Sequence, residues 1–347
     1  MKIGIISPLW KRVPPKKYGG TEYIVSLIAS ELVKKKYEVY LFASGDSETS
    51  GNLIPIVEKN LHELLGEYQW NNLNYDLYQM KIISKYANEI EIFHNHNGFV
   101  PLYFKEALKK PILTTLHSSL PFSKDLAFYV KDEPYVSISN AQRNLAPYLN
   151  FVATIYHGIP VELFPFQREK KDYVVFLGTI SPYKGTDRAI KIAMKSGIKL
   201  IIAGELRKEF KTFFDTKIKP YIDGKNVEFI GELTFSEKVD ILKEAKALLL
   251  PVRWEEAFGL VMIESMACGT PVIAYNKGAV PEVIKDKETG FIVNNIKDAV
   301  KALKRVETID PLVCRSWVEK KFSAKRMVDE YEKLYQDILV QHRTKEI

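Results

Sequence analysis

Between two short apolar runs the sequence contains a Glu-rich loop and the start of a helix: Glu255-Glu256-Ala257-Phe258-Gly259-Leu260-Val261-Met262-Ile263-Glu264. The preceding run, 247–252, predicts a buried parallel strand, and 260–268 predicts a helix that ends at Gly269. The loop therefore joins the carboxyl end of a strand to a helix N-terminus. Open α/β sheets bind ligands at this position, and the unpaired N–H groups of the helix favour an anion such as a diphosphate.

Two carboxylates belong to this segment. Glu256 lies on the loop, and Glu264 lies about one helical turn beyond Leu260, from where it can reach back toward the same ligand. Because carboxylates repel phosphate, these two are better suited to accept hydrogen bonds from sugar hydroxyls. At this spacing alone, two solvated helix residues would be the simpler interpretation.

The composition is that of a soluble globular protein. The chain has 347 residues, of which 46% are hydrophobic and 27% charged, and this length suits two domains of roughly 150 residues each. No apolar run approaches the roughly 20 residues of a membrane span, and the N-terminal run is too short for a signal peptide. With Cys268 and Cys314 as its two cysteines, the chain is expected in the cytoplasm.

The formal net charge is +7, from basic residues that are dispersed along the chain. Solvated helix ends and turns account for most of them. The alternative is attraction to an anionic donor, or peripheral contact with an anionic inner membrane face that carries a lipid acceptor. A nucleic-acid partner is not expected, because no binding motif accompanies the charge.

The spacing of Glu256 and Glu264 resembles the E-x7-E motif of retaining glycosyltransferases of family 4. The continuations Cys268-Gly269-Thr270-Pro271-Val272 and Gly278-Ala279-Val280-Pro281-Glu282 are also similar to that family. The resemblance implies that Glu256 contacts the transferred sugar and Glu264 the ribose of the donor nucleotide. It places Phe258, Gly259 and Leu260 in the donor site as well.

A second motif opens the C-terminal half: Gly178-Thr179-Ile180-Ser181-Pro182-Tyr183-Lys184-Gly185. It resembles the family's G-R-x-x-x-x-K-G motif, whose Arg and Lys neutralise the diphosphate. Gly178 and Lys184 match, but Thr179 stands where the Arg is expected and offers no charged fork. Arg253 is a neighbouring cation that could replace it.

The N-terminal half carries weaker signals of the same family. The segment from Pro8 through Tyr18-Gly19-Gly20 to the start of a helix is similar to the glycine loop of the AviGT4-like branch, and implies contact of Gly19 and Gly20 with the donor phosphates. Thr115-Leu116-His117 resembles the family's strand-end histidine beside the transferred sugar. His94 and His96, at i and i+2, suggest a metal pair, but no third ligand supports one.

Together these motifs imply a GT-B architecture: two facing α/β domains with parallel sheets and a C-terminal helix that crosses back. We expect an acceptor-side domain over 1–160, with 325–347 packed on it, and a donor-binding domain over 161–324. The implied activity is retaining transfer of a hexose from a nucleotide diphosphate sugar, UDP- or GDP-linked, to a hydroxyl of a small-molecule, saccharide or lipid acceptor.

Catalysis is expected from His117 and Glu256, without a cofactor and without a metal, because the sequence contains no Asp-x-Asp pair. Two alternatives stay open on the sequence. One is a nucleotide-sugar epimerase of the same fold, and the other is a non-catalytic nucleotide-sugar binding protein.

Overall fold

The computed structural model describes residues 1–66, 72–118 and 127–345. The chain divides into two compact units. One comprises Met1–Gly158 together with the chain from Ala324 onward, and the other is Ile159–Ser323. Each unit is built around a parallel sheet with helices, so the predicted α/β fold class is confirmed.

The sheet of the N-terminal unit follows from short runs of apolar residues that are buried on both faces, as parallel sheets require. In the described part of the chain its order is β3-β2-β1-β4-β5-β6-β7, with parallel pairing throughout. The strands are β1 (Lys2–Ile6), β2 (Glu38–Ala43), β3 (Asn52–Pro55), β4 (Ile92–Asn95), β5 (Ile112–Thr115), β6 (Tyr135–Ser137) and β7 (Phe151–Thr154).

Helices connect these strands. Helix α1 (Gly20–Lys34) packs the apolar side chains of Ile24, Val25, Ile28 and Leu32 into the interior. The described helices of this part are α1 (Gly20–Lys34), α2 (Leu61–Leu65), α3 (Asn72–Ser84), α4 (Lys105–Leu108) and α5 (Asn140–Leu145), with a 3₁₀ turn at Val100–Phe104.

The second unit repeats the design with the order β10-β9-β8-β11-β12-β13, again parallel. Chain order reverses between β8 and β11, which are neighbours in the sheet. Such a switch point opens a crevice at the carboxyl ends of the strands, where ligands bind. The strands are β8 (Tyr173–Leu177), β9 (Lys199–Ala203), β10 (Val227–Phe229), β11 (Ala247–Leu250), β12 (Val272–Tyr275) and β13 (Gly290–Val293).

The helices of the second unit include α8, which begins with a capping box between Thr234 and Glu237. They are α6 (Thr186–Ser196), α7 (Lys211–Phe213), α8 (Phe235–Glu244), α9 (Leu260–Ala267), α10 (Val280–Val283), α11 (Ile296–Leu303) and α12 (Pro311–Lys321). A π-helical segment at Phe214–Ile218 and several 3₁₀ turns complete the unit.

The last helix, α13 (Ala324–Lys345), returns to the N-terminal unit, as predicted. It packs against α1, and Lys35 at the end of α1 bonds Asp329 at 2.6 Å and Glu332 at 2.7 Å. Tyr331 and Tyr335 are fully buried. Tyr335 Oη lies 2.6 Å from His94 Nδ1, which joins α13 to the end of β4.

No described helix is both long and apolar enough to cross a bilayer.

Replacing Tyr335 by Phe should lower the free energy of unfolding by about 1–3 kcal/mol, because it leaves the buried His94 Nδ1 without its partner. Urea denaturation of the purified protein measures the change. Tyr103→Phe is the matched control, since Tyr103 is 48% exposed and should change little. Equal stability of the two variants would contradict the role assigned to Tyr335.

Candidate active site

The two motifs predicted to hold the donor meet at the switch point of the second sheet. Gly178–Gly185 follows β8 and the segment from Pro251 to Gly259 follows β11, and the two strands pair directly through Ala247 with Val174 and Leu248 with Val175. The loops are also joined by their backbones, since Arg253 N–H donates to Tyr183 O at 2.7 Å. Sheet topology therefore brings together residues that are about 70 positions apart in sequence.

Glu256 is the centre of this contact. Its Oε2 accepts a hydrogen bond from Lys184 Nζ at 2.7 Å and one from Trp254 Nε1 at 3.0 Å. Lys184 Nζ also lies 4.5 Å from the centroid of the Trp254 ring, within the range of a cation–π interaction. The Lys184 and Glu256 side chains are 17% and 8% exposed, so the ion pair is largely withdrawn from water.

The backbone of Glu256 is held by the turn that follows β12. Ala279 N–H donates to Glu256 O at 2.8 Å, and Gly278 N–H donates to the Glu255 carboxylate at 2.6 Å. A Cβ on Gly278 would lie 2.2 Å from Glu256 O, and Gly278 has a φ of +56°. Only glycine fits this approach without a shift, so the Gly278 segment fixes where Glu256 emerges.

Glu264 forms an ion pair with Lys238. It lies on α9 and is 6% exposed, and its Oε1 bonds Lys238 Nζ of α8 at 2.5 Å. Lys238 also lies over the ring of Phe235, at 5.2 Å from its centroid. Both predicted carboxylates are thus buried and each is paired with a lysine from a different element, in accord with the requirement that buried charges be compensated.

The other predicted donor residues of the second unit lie at the start of α9 and directly after β8. Gly259 precedes the helix with a φ of +84°, and Leu260 is its first residue. Phe258 is buried and packs edge to face against Phe322, with ring centroids 5.9 Å apart. Gly178 directly follows β8, and its N–H donates to Ala203 O at 3.1 Å.

Arg253 forms an ion pair with Asp187. Its two terminal nitrogens bond both carboxylate oxygens of Asp187, at 2.8 and 2.6 Å, and it also donates to Pro182 O. This bidentate geometry balances its charge within the protein. Thr179, in the position of the expected Arg, is buried. Because its guanidinium is bonded to Asp187, Arg253 does not take the place of the arginine that the motif has at position 179.

In the N-terminal unit, histidines from three strand ends form one cluster. His96 Nδ1 lies 2.7 Å from His117 Nε2, and His117 stacks on His157 with ring centroids 5.2 Å apart. The ring centroids of His94 and His96 are 4.0 Å apart, and His94 Nε2 lies 2.8 Å from Thr115 Oγ1. His96 Nε2 and His117 Nδ1 are enclosed and have no hydrogen-bond partner among the described residues.

Burial keeps this cluster uncharged. It lowers the pKa of His117 to about 3, and it holds the pKa values of His94, His96 and His157 well below 6.5, with neighbouring histidines adding to the effect. At neutral pH, His117 is therefore a neutral hydrogen-bonding group. Within the described ranges, no group of three or more His, Cys, Asp or Glu side chains has the geometry to hold a metal ion.

Gly19 and Gly20 stand where α1 begins, as the glycine-loop prediction requires. Glu22, in the first turn of the same helix, is 6% exposed, and burial raises the pKa of its carboxyl group. An anion at this helix terminus would therefore share it with a carboxyl group. The predicted phosphate contact of Gly19 and Gly20 stays a prediction.

The structure adds three residues to those predicted. Trp254 lies two positions before Glu256 and could have been proposed from that proximity. Lys238 carries no signal in the sequence, because its pairing with Glu264 depends on how α8 packs beside α9. His157 follows β7 and carries no motif of its own, and its contact with His117 depends on the pairing of β6 with both β5 and β7.

The histidine cluster predicts a pH dependence of stability. The pKa of His117 is about 3 in the folded chain against 6.5 for an ordinary histidine, so the unfolded chain binds more protons between these values. The free energy of unfolding should therefore fall as pH drops below 6.5, by at most about 1.4 kcal/mol per pH unit for this residue. Urea denaturation from pH 7.5 to 5 measures the slope, which His117→Asn should reduce. Parallel curves for wild type and variant would contradict the assignment.

Comparison with known proteins agrees with these features. The family description "Glycosyl transferases group 1" matches residues 163–337, and "Glycosyltransferase Family 4" matches residues 18–159. The N-acetyl-alpha-D-glucosaminyl L-malate synthase of Bacillus anthracis is 25% identical over 369 aligned positions, covering 92% of this chain and 94% of its own. An uncharacterized glycosyltransferase of Methanocaldococcus jannaschii is 27% identical, covering 72% and 76%.

Solved structures share the fold. AviGT4, a glycosyltransferase involved in avilamycin A biosynthesis, matches with a TM-score of 0.76 and 21% identity over 98% of both chains. Anabaena HepE, solved in complex with UDP-glucose, matches with a TM-score of 0.77 and 16% identity over 97% of this chain and 100% of its own. The predicted GT-B fold and its AviGT4-like resemblance are thus confirmed. The chain belongs to the glycosyl transferases group 1 family and is a glycosyltransferase.

Proposed function

We propose that this enzyme transfers a hexose from a nucleotide diphosphate sugar, UDP- or GDP-linked, to a hydroxyl acceptor with retention at the anomeric carbon. The observation that carries the proposal is the buried pair of Lys184 and Glu256 at the switch point of the donor-side sheet, 2.7 Å apart. A cation suited to a diphosphate lies there beside a carboxylate suited to sugar hydroxyls, which supports the proposal. The likeness to HepE, which binds UDP-glucose, supports a nucleotide-sugar donor.

Bond cleavage develops negative charge on the leaving diphosphate. Lys184 and the N-terminus of α9 at Gly259 and Leu260 are the groups that would stabilise this charge, since both present positive charge or oriented N–H groups. Gly178 and the Gly19–Gly20 turn would contribute close backbone approach. Phe258 would support this region by packing, as its buried ring allows.

Positive charge develops at the same time on the sugar. Glu256 would hold the transferred sugar through its hydroxyls, and Glu264 would hold the ribose of the nucleotide. His117 would offer a hydrogen bond to the sugar as a neutral imidazole, because burial prevents its protonation near neutral pH. A neutral group there adds no repulsion to a cationic transition state.

We further propose that the reaction needs no divalent metal. Metal-dependent transferases require carboxylates aimed at the diphosphate, and the two buried carboxylates of the donor loop and helix are both paired with lysines. At position 179, Thr stands where the family motif has an arginine, so one cation for the diphosphate is missing there. A metal-dependent reaction would point to an ion that compensates for this replacement.

The decisive experiment is hydrolysis of a panel of nucleotide sugars by purified protein without acceptor, after EDTA treatment and again with Mg²⁺ or Mn²⁺ added. Release of UDP or GDP in EDTA with an unchanged sugar is expected. Activity that returns only with metal would contradict the metal-free mechanism. Release of an isomerised sugar would instead indicate an epimerase, and failure to bind or cleave any donor would refute the donor assignment.

Replacing Glu264 and replacing Glu256 should have different effects on nucleotide binding and turnover. Glu264→Gln should weaken binding of free UDP or GDP by roughly 10-fold, because it removes a charged acceptor of ribose hydroxyl hydrogen bonds. Glu256→Gln should lower turnover, because it alters the contact with the sugar. It should not weaken nucleotide binding, because it removes only a carboxylate charge that competes with the diphosphate for Lys184. Calorimetry with both variants, alongside Glu288→Gln as an exposed control that pairs only with Lys285 among the described residues, decides the assignment. Equal losses of nucleotide affinity would contradict it.

A further inference from the structure

We infer that Trp254 is a positioning residue for Glu256, and this inference rests on the proposed function. Two donors converge on one oxygen of the carboxylate: Lys184 Nζ at 2.7 Å and Trp254 Nε1 at 3.0 Å both bond Oε2. Among the residues that the structure describes, none donates a hydrogen bond to Oε1. The carboxylate is thus anchored at one oxygen, and the other is left for a substrate hydroxyl.

The indole serves both partners of the ion pair. Its N–H donates to Glu256, and its ring lies 4.5 Å from Lys184 Nζ. The residue is 39% exposed, so its N–H is directed to the buried carboxylate although much of the ring is open to solvent. The bond therefore constrains the orientation of the Glu256 carboxylate.

The hydrogen bond from Trp254 matters when the diphosphate is bound. Lys184 is then attracted by the phosphate charge as well, so its bond to Glu256 is shared or lost. Trp254 has no charge and is not drawn to the phosphate. It therefore keeps Glu256 Oε2 in place while Lys184 serves the leaving group, and Oε1 stays directed at the sugar.

The backbone supports the same geometry. Arg253, next to Trp254, is fixed by its N–H bond to Tyr183 O at 2.7 Å and by its ion pair with Asp187. Glu256 is fixed by Ala279 N–H at 2.8 Å. With both ends of this short segment held, the bond from Trp254 to Glu256 adds a constraint on the carboxylate itself. Positioning of this kind affects turnover more than nucleotide affinity.

The test is Trp254→Phe, which keeps an aromatic ring near Lys184 but removes the N–H donor. We expect kcat for donor turnover to fall roughly 10-fold, with the Kd for UDP and GDP unchanged. Trp317→Phe is the matched control, since its N–H donates at 2.9 Å to Val283 O, a backbone group with no part in the proposed site. That variant should keep wild-type kcat.

A double-mutant cycle distinguishes positioning of Glu256 from a nonspecific effect of the substitution on the structure of the site. In a Glu256→Ala background, Trp254→Phe should cause no further loss, because the group that it positions is gone. If Trp254→Phe fails to fold, Trp254→Leu is tested for the same loss of kcat and the same lack of a further loss in the Glu256→Ala background. Its nucleotide affinity is not part of the test, because it also removes the ring beside Lys184. Thermal melting of each variant establishes that the compared proteins are folded.

Three results would overturn the role of Trp254: an unchanged kcat in folded Trp254→Phe, an equal loss of nucleotide affinity, or an additive loss in the Glu256→Ala background. Each presupposes a wild-type protein that binds UDP or GDP and cleaves the donor. A wild-type protein that does neither refutes the donor assignment itself, and this inference with it. The two failures are therefore distinguishable.

Discussion

The pairing of β8 with β11 is the constraint on which the donor side of this enzyme depends. These strands lie far apart in the chain, yet hydrogen bonds make them neighbours at the centre of one sheet. Because both run in the same direction, the loops that leave them must emerge at the same edge. Lys184 meets Glu256 and the ring of Trp254 because of this pairing, and the pairing of β11 with β12 brings the Gly278 turn to Glu256 in the same way.

Much of this arrangement could be predicted from the sequence, and the reason is local. A strand followed by a glycine-rich or proline-rich loop and then a helix leaves a distinct pattern of apolar and turn residues, so the positions of Lys184, Glu256 and Glu264 on their elements were predictable. Contacts between elements are a different matter. The pairing of Glu264 with Lys238 depends on how two helices pack, and no periodicity in the chain encodes it.

The same distinction applies to the histidines. Their strand-end positions follow from the sequence, but their neutrality follows from burial by surrounding strands and by α13, which only the folded unit shows. Likewise, Arg253 was a reasonable substitute for the arginine missing at 179, until the structure showed its bidentate bond with Asp187. Charge in the proposed donor site is balanced within the protein by ion pairs, so a diphosphate bound there would compete with internal carboxylates for its cations.

The return of α13 to the N-terminal unit has a consequence for biosynthesis. That unit is assembled from both ends of the chain, and all of Ile159–Ser323 is translated between its two parts. The intervening unit is continuous and can fold as soon as it leaves the ribosome, since domains fold as units during synthesis. The first unit, in contrast, waits for Tyr331 and Tyr335 with the surface around His94 and Thr115 uncovered. The second unit can therefore complete its fold before the first, and a nascent chain halted before α13 leaves the sites of Tyr331 and Tyr335 unfilled.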